Sequence, residues 1–297
     1  MTERTIDVSA SSRWRRLATL RWHNILMIVV AHALAVVALF HFEWSALFVC
    51  AILYFWTACL GLTLGWHRLL SHGSFKAHPA VRYFLAASGS LALQNGPIEW
   101  VGVHRVHHAH TDEEEDPHTP LVQIAWAHIG WIFAPLPFDP RDFARDLERD
   151  RGIRIIDRCH WLFSIALAVA LYAAGEWWNQ VGVAWVLWGM AVRTVLVFHA
   201  TWFVNSAAHT WGYRNFETND NSRNLWWVAV LTFGEGWHNN HHAAHRCAAH
   251  GIRWWEFDLT YAIVRALERV GLATQVVHPP RTADMPTEPV KAPAIGR

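Results

Sequence analysis

Residues 45–66 read SALFVCAILYFWTACLGLTLGW and contain no Asp, Glu, Lys or Arg. A helix that crosses the hydrocarbon core of a bilayer needs about 20 mostly apolar residues. The stretch therefore predicts a membrane-spanning helix. Three further segments satisfy the same criterion: residues 25–42, 160–175 and 182–204. The sequence thus predicts an all-α integral membrane fold with four transmembrane helices.

The composition agrees with a membrane protein. Of the 297 residues, 53% are hydrophobic and 16% are charged, and the 20 tryptophans are typical of aromatic belts at bilayer interfaces. The net charge of +1 argues against nucleic-acid binding, which requires a basic surface. The four cysteines show no C-x-x-C spacing, so we interpret them as buried small hydrophobic residues rather than as a zinc site or a disulfide set.

Two short connections group the spans in pairs. Glu43 and Trp44 separate the first two, and the segment EWWNQ, residues 176–180, lies between the last two. Lys and Arg favour the cytoplasmic side, and neither connection contains them. We therefore expect two hairpins beneath one helical cytosolic cap, with both termini in the cytoplasm. Residues 1–278 are expected to form a single domain, followed by a disordered tail at residues 279–297, which is rich in Pro and polar residues.

Three histidine boxes accompany the spans. They are HRLLSH, which follows the first quoted stretch directly, then HRVHH and HNNHH, and their histidines are His67, His72, His104, His107, His108, His238, His241 and His242. On a helix, residues i, i+3 and i+4 share a face, so each of the last two boxes could converge on one point or bridge two adjacent points. An i, i+5 pair lies about 140° apart on an α-helix. His67 and His72 therefore need a helix end or separate metal ions.

Eight imidazoles are too many for one ion and suit two. Imidazole binds Zn, Cu, Fe and Ni alike. A structural zinc site is closed by four ligands, commonly including cysteine, and here no cysteines are paired. A redox-active dinuclear iron site is therefore favoured. We expect His118 to support the ligands from behind, whereas other histidines, among them His32, His128, His199 and His250, are interpreted as bystanders.

Four longer motifs resemble those of the membrane fatty acid desaturases, specifically the stearoyl-CoA Δ9-desaturase-like group. They are WHRLLSH, ALQNGPIEWVGVHRVHHAHTDEEEDPHTP, ATWFVNSAAHTWG and GEGWHNNHH. The resemblance implies a di-iron centre with nine histidine ligands, of which the ninth is His209 in NSAAH. It also implies that Asn205 reaches the iron through a water molecule. Spacing alone does not single out His209 from His199.

The resemblance further implies an O2-dependent reaction that introduces a cis double bond, at Δ9, into a saturated acyl chain. Trp202 and Thr201 match positions that line the bend of the substrate channel in relatives, and Gln94 and Trp100 match positions near its mouth. Arg193 lies within the fourth predicted span, where a charge usually faces the bundle interior and serves function. We therefore expect Arg193 to contribute to substrate binding.

One departure leaves the acyl carrier open. Animal acyl-CoA members read W-A-R-D-H before the second box, whereas this chain reads WVGVH, with Gly102 and Val103 in place of the charged pair. The GPIEW segment resembles bacterial, cyanobacterial and plant members instead, and indicates a bacterial cytoplasmic membrane. The acyl chain could be carried by CoA, acyl carrier protein or a glycerolipid. No haem or nucleotide motif is present, so electrons are expected from a separate ferredoxin or cytochrome b5.

Two other functions are weighed against desaturation. A fatty acyl or lipid hydroxylase would use the same di-iron scaffold, and only the product distinguishes it. A membrane metal transporter would place ionisable ligands along a path through the spans, whereas the three boxes here lie at or beyond span ends. The sequence therefore favours the desaturase over the transporter.

Overall fold

The structure is a computed structural model that describes residues 20–279. Most of the predicted disordered tail therefore lies outside the described residues. Within them the fold is helical, apart from one two-stranded sheet. The helices that we number α1 to α13 are Trp22–Ala38, Trp44–Ser71, Pro79–Ser90, Pro97–Ala109, Trp126–Phe133, Pro140–Phe143, Arg145–Arg149, Arg151–Arg158, His160–Asn179, Gly182–His209, Trp226–Leu231, His238–Ala243 and Leu259–Arg269.

Four helices are long and apolar enough to cross a membrane: Trp22–His41, Trp44–Ser71, His160–Asn179 and Gly182–His209. The first consists of α1 and a short 3-10 turn, and the others are α2, α9 and α10. The prediction of a mostly helical protein with four helices that could span a membrane is therefore confirmed. However, α2 and α10 each have 28 residues and run past the predicted ends at residues 66 and 204. Their extra turns carry His67 and His209, because the chain stays helical after its sequence has become polar.

The spans pack through small residues and a few polar side chains. Trp188 of α10 donates its indole N–H to the Ala38 carbonyl of the first span at 3.0 Å, and Trp185 donates to Ser45 at the start of α2. The buried residues at this contact include Ala38, Ala46 and Ala184. The fourth span thus lies against both the first and the second, as close packing of membrane helices through small residues allows.

Helix α3 packs closely on the polar end of α2. The Trp66 indole is fully buried and donates to the Ala86 carbonyl at 2.9 Å. A Cβ at Gly89 would lie 2.2 Å from the Trp66 ring, and one at Gly61 would lie 2.7 Å from the backbone of α3. Only glycine fits at these two positions, and the close approach fixes the end of α2 that carries the first histidine box.

One short sheet joins two segments that are distant along the chain. Strands β1, Lys76–Ala77, and β2, Ala273–Thr274, pair antiparallel with Lys76 opposite Thr274. The pairing fastens the segment after α13 to the segment after α2. Asp258 caps the N-terminus of helix α13, and its side chain accepts from the Tyr261 N–H at 2.8 Å. The histidine boxes of α2, α4 and α12 come together in the folded chain.

Candidate metal centre

Nine histidines form two adjacent groups. Each member offers one ring nitrogen within 4.8 Å of the others in its group. The group of five is His67, His72, His104, His108 and His241, and the group of four is His107, His209, His238 and His242. Eight of them are the histidines of the three boxes, and the ninth is His209, which the family resemblance implied. The structure therefore brings them together in the pairing that two ions would need.

The two later boxes are divided between the groups. Helix α4 directs His104 and His108, four residues apart, into the group of five, and His107 into the group of four. Helix α12 directs His241 into the group of five, while His238 and His242 enter the group of four. Of the two arrangements that helical spacing allowed, the bridging of two adjacent points is the one observed.

The winding of α2 explains the i, i+5 spacing of the first box. From Phe55 to Ser71 this helix is wound as a π-helix, and the His72 N–H donates to the His67 carbonyl at 3.2 Å. In π winding, residues five apart are joined by a hydrogen bond, whereas in α winding they lie on different sides. His67 and His72 therefore share one face at the end of the helix. They belong to one group, so the spacing does not require separate ions.

The imidazoles of the group of five converge more tightly than hydrogen bonding can explain. Consecutive Nε2 atoms lie 2.8 to 3.2 Å apart along the series His104, His72, His67, His241, His108. Each inner member thus contacts two other Nε2 atoms. One Nε2 carries either a proton or one lone pair, and can serve only one such contact. Two nitrogens at right angles on an ion, each about 2.1 Å from it, would be about 3 Å apart. The spacing fits shared coordination of a metal ion.

The group of four has the same character. The Nε2 of His238 lies 3.0 Å from that of His209 and 3.1 Å from that of His242. The Nε2 of His107 is buried without a hydrogen-bond partner. Orphaned buried nitrogens are costly unless something binds them. A metal ion between the four rings would satisfy their four Nε2 atoms.

Behind the group of four lie three carboxylates that the sequence analysis did not assign. The Nδ1 of His107 is 2.9 Å from Asp116 Oδ2, the Nδ1 of His242 is 3.0 Å from Asp220 Oδ2, and the Nδ1 of His209 is 3.3 Å from Asp112 Oδ1. A carboxylate on the far nitrogen fixes the ring and its tautomer, and so presents Nε2 to a metal. Three of the four rings are oriented in this way.

Behind the group of five lies a different arrangement. Glu235 Oε2 is 2.6 Å from the Nδ1 of His67, and its other oxygen accepts from the fully buried Arg68 guanidinium at 3.0 and 3.2 Å. Arg68 also donates to Asp258 at 3.0 Å. His250, which the sequence analysis treated as a bystander, is fully buried with its Nδ1 3.1 Å from Glu235.

Burial favours the neutral, metal-binding form of several of these histidines. It lowers the pKa of His104, His108, His238 and His241 well below the ordinary value. It also lowers the pKa of His242 to about 4, although Asp220 acts in the opposite direction. Burial would by itself raise the pKa of Asp116 and Asp220, but the neighbouring His107 and His242 outweigh it and hold both pKa values below the usual range.

A cavity reaches the group of five from the side of α1 and α10. Its walls include Met27, Ile28, Phe198 and Trp202, and His104 and Asn205 lie on it as well. Arg21, Asn24, Asn95 and Glu99 supply polar groups to the same cavity. Apolar walls with a few placed polar groups are typical of ligand pockets.

Four of the predicted substrate residues line this cavity, namely Gln94, Trp100, Thr201 and Trp202. Gln94 joins two of them, since it donates to Thr201 Oγ1 at 3.1 Å and accepts from the Trp100 indole at 3.0 Å. The Trp100 ring also stacks on His104, with centroids 5.2 Å apart. Trp100 therefore lies beside His104, and Gln94 contacts Trp100.

Arg193 does not line the cavity. Its guanidinium is fully buried and donates to the carbonyls of Gly189 and Leu91. The side chain thus joins α10 to the loop after α3, and a contact between Arg193 and substrate stays a prediction. His118 lies where support for the ligands was expected. Its ring is 4.3 Å from that of His107, and its Nδ1 is 3.6 Å from Asp116.

With this geometry in place, comparison with known proteins identifies the family. A sequence model described as Fatty acid desaturase matches residues 42–276. The chain belongs to the fatty acid desaturase family. It is accordingly an oxidoreductase, as the histidine boxes and their flanking motifs predicted, and a metal site fits both the family and the two histidine groups.

Several relatives of this desaturase are similar over most of their length. An sn-2 palmitoyl-lipid 9-desaturase of Nostoc sp. is 45% identical over 88% of this chain and 92% of its own length. An sn-1 stearoyl-lipid 9-desaturase of Anabaena variabilis is 44% identical over 86% and 94%. A chloroplastic palmitoyl-monogalactosyldiacylglycerol delta-7 desaturase of Arabidopsis thaliana is also 44% identical, over 86% and 68%. Equal identity thus accompanies different double-bond positions.

Proposed function

We propose that this desaturase introduces a cis double bond at Δ9 into a saturated acyl chain, with O2 as co-substrate and two iron ions held by the nine histidines. The observation that carries the proposal is the apolar cavity that ends beside His104 and Asn205. It offers an extended acyl chain a route to the group of five. Asn205, which lines the same cavity, would reach an ion through a water molecule.

The residues present would hold iron through five imidazoles in one group and four in the other. When bound and reduced, iron would supply the O2 chemistry needed to remove two hydrogens from adjacent methylenes of an acyl chain, which no side chain can perform. The protein's part is to keep the imidazoles neutral and oriented. Burial favours the neutral form, and the buried carboxylates beside His67, His107 and His242 orient their rings.

The cavity residues would choose which methylenes react. An acyl chain has no polar handle near its middle, so its register depends on the shape of the wall. Gln94 couples Trp100, which stacks on a histidine of the group of five, to Thr201 of α10. Trp202 and Phe198 stack on one another at 5.1 Å and close the adjoining wall. These contacts would set which methylenes of the acyl chain lie beside the histidines.

The carrier best supported is a glycerolipid. In place of the Arg and Asp of animal acyl-CoA members, Val103 lines the cavity with an apolar side chain. A Cβ at Gly102 would lie 2.1 Å from the Pro140 carbonyl oxygen, so no side chain fits there. The similar cyanobacterial proteins are named as lipid 9-desaturases. A lipid substrate could enter directly from the bilayer.

The remaining assignments follow the sequence. We place both termini and the histidine layer on the cytoplasmic side of a bacterial membrane, with residues 1–278 as one domain and the spans as two hairpins. The positive-inside distribution of Lys and Arg supports this orientation. Two electrons for each turnover would come from a separate ferredoxin or cytochrome b5.

The test is the fatty-acid profile of bacterial cells that express the chain together with a ferredoxin. We expect a new cis monoene, with its double bond at C9 after derivatisation and gas chromatography. His107→Ala should abolish it. His110→Ala is the matched control, because this histidine lies in the same segment but is 39% exposed and contacts Glu113. A hydroxylated acyl product would contradict the proposal. So would the absence of product from purified, iron-loaded protein supplied with reduced ferredoxin and glycerolipid.

A further inference from the structure

The two histidine groups share one device. In each, a buried carboxylate lies between the Nδ1 of a group member and a further buried histidine. In the group of four, Asp116 lies 2.9 Å from His107 and 3.6 Å from His118. In the group of five, Glu235 lies 2.6 Å from His67 and 3.1 Å from His250. The geometry is parallel, so any difference between the groups must come from the charges around it.

The carboxylate in the group of five is neutralised. Both contacts of Arg68 with Glu235, at 3.0 and 3.2 Å, are fully buried. Asp258 adds a second carboxylate on the far side of Arg68, at 3.0 Å. Glu235, Arg68 and Asp258 together leave one negative charge behind these five imidazoles.

The carboxylates in the group of four keep their charge. Asp220 Oδ1 accepts from the N–H of Ser222 at 2.9 Å and from the Thr218 hydroxyl at 2.8 Å. Asp116 Oδ1 accepts from the His118 N–H at 3.1 Å, and Asp112 Oδ2 accepts from the Asn221 N–H at 2.5 Å. These neutral donors stabilise a carboxylate without cancelling its charge. Three carboxylates therefore lie behind four imidazoles, and the buried cation Arg214 lies one hydroxyl away, since it donates to Thr218 Oγ1 at 2.6 Å.

Charge at this distance acts on the oxidation state of a bound ion. Buried charges are little screened, and the reduction potential of a metal site falls as its surroundings become more negative. A carboxylate on the far nitrogen also makes an imidazole a stronger donor. Both effects favour the higher oxidation state in the group of four, where three of four ligands, rather than one of five, have a carboxylate on the far nitrogen.

We propose that the group of four stabilises ferric iron more than the group of five, so that its ion is oxidised first. The inference rests on the di-iron function proposed above. In an oxidative titration without O2, one Fe2+ would become Fe3+ in the group of four, and its electron would pass to the chemical mediator. The Fe2+ in the group of five would follow at a higher potential.

The experiment is an anaerobic redox titration of the whole protein, loaded with 57Fe and read by Mössbauer spectroscopy. Mössbauer counts ferric and ferrous iron directly and does not depend on turnover. The parent should be oxidised in two one-electron waves. Asp220→Asn should lower the ferric-to-ferrous ratio about tenfold at any potential within the first wave, which is about 59 mV for one electron. Asp112→Asn should act in the same direction, so the test survives if one variant does not fold.

Glu114→Gln is the matched control, because it removes one charge from the same acidic segment at an exposed position. It should leave both waves in place. A single two-electron wave in the parent would overturn the inference. So would equal shifts in Asp220→Asn and Glu114→Gln, or a shift confined to the second wave. A protein that binds no iron would refute the proposed function instead, so the two failures are distinguishable.

Discussion

The group of five and the group of four take their ligands from the same boxes but face different surroundings. Of the nine histidines, His104 lines the apolar cavity, whereas His242 lines an open polar cleft formed by residues 215–220. One group therefore faces the proposed acyl chain and the other faces the polar surface. The boxes therefore specify the ligands, whereas residues outside the boxes' ligand positions, such as Arg68 and Asp220, give each group its own environment.

The largest expected effect is the loss of a ligand from either group. His241→Ala removes one from the group of five and His107→Ala one from the group of four. Loss of even an outer partner costs metal sites about 10–100-fold, so each variant should lose more than about a hundredfold in product. Fatty-acid profiles of cells with matched membrane levels of each variant would measure it. Full activity in one variant would show that its group is dispensable.

Removal of Arg68 should lower the free energy of unfolding much more than removal of an exposed arginine. Arg68→Met leaves Glu235 and Asp258 buried without their cation, and breaking such a buried pair costs about 3–5 kcal/mol. Arg145→Met is the control, because its pair with Asp142 is 70% and 61% exposed and should contribute about 0–1 kcal/mol. Unfolding in detergent, followed by circular dichroism, measures both. Equal destabilisation by the two substitutions would mean that the group of five does not depend on its cation.

The iron-free protein should lose stability as the pH falls from about 6.5 to about 4. Burial holds the pKa of His118 at about 3 and that of His242 at about 4, so the folded state takes up fewer protons than the unfolded state over this range. Unfolding is therefore favoured progressively below the ordinary histidine pKa.

Melting temperatures of chelator-treated protein between pH 7.5 and 4.5 would test this. They should fall on acidification and rise when iron is restored at pH 7.5, because the metal binds neutral imidazole. A melting temperature that stays constant or increases toward pH 4.5 would contradict the burial of neutral histidines in both groups.

The smallest effect is expected in the cavity beside the group of five. Thr201→Val removes the acceptor of the Gln94 amide, at a cost of about 1–3 kcal/mol for an unpaired polar group. We expect a new fraction of product with a shifted double bond and an unchanged iron content. Thr232→Val is the control, because that hydroxyl makes the same bond to the carbonyl four residues earlier, away from the cavity. If the double-bond positions are identical in the two variants, Gln94 does not control the register of the acyl chain.

Much of this architecture can be read from the sequence, because long apolar segments and closely spaced histidines are local signals. The carboxylates that contact these histidines give no such local signal. In the acidic segment TDEEED, Glu113, Glu114 and Glu115 are exposed, whereas the two aspartates are buried against histidines. Asp220 and Glu235 meet their histidines only after the chain has folded. The π winding that aligns His67 with His72 likewise depends on packing and not on composition.

The most direct test of the central claim is the metal content of the purified protein and of one variant from each group. Elemental analysis with Mössbauer spectroscopy should find two iron ions per chain in the parent. It should find no more than one at full occupancy in His107→Ala or in His241→Ala. One ion per chain in the parent, zinc in place of iron, or two ions retained by both variants would contradict the assignment of the nine histidines to a two-ion centre.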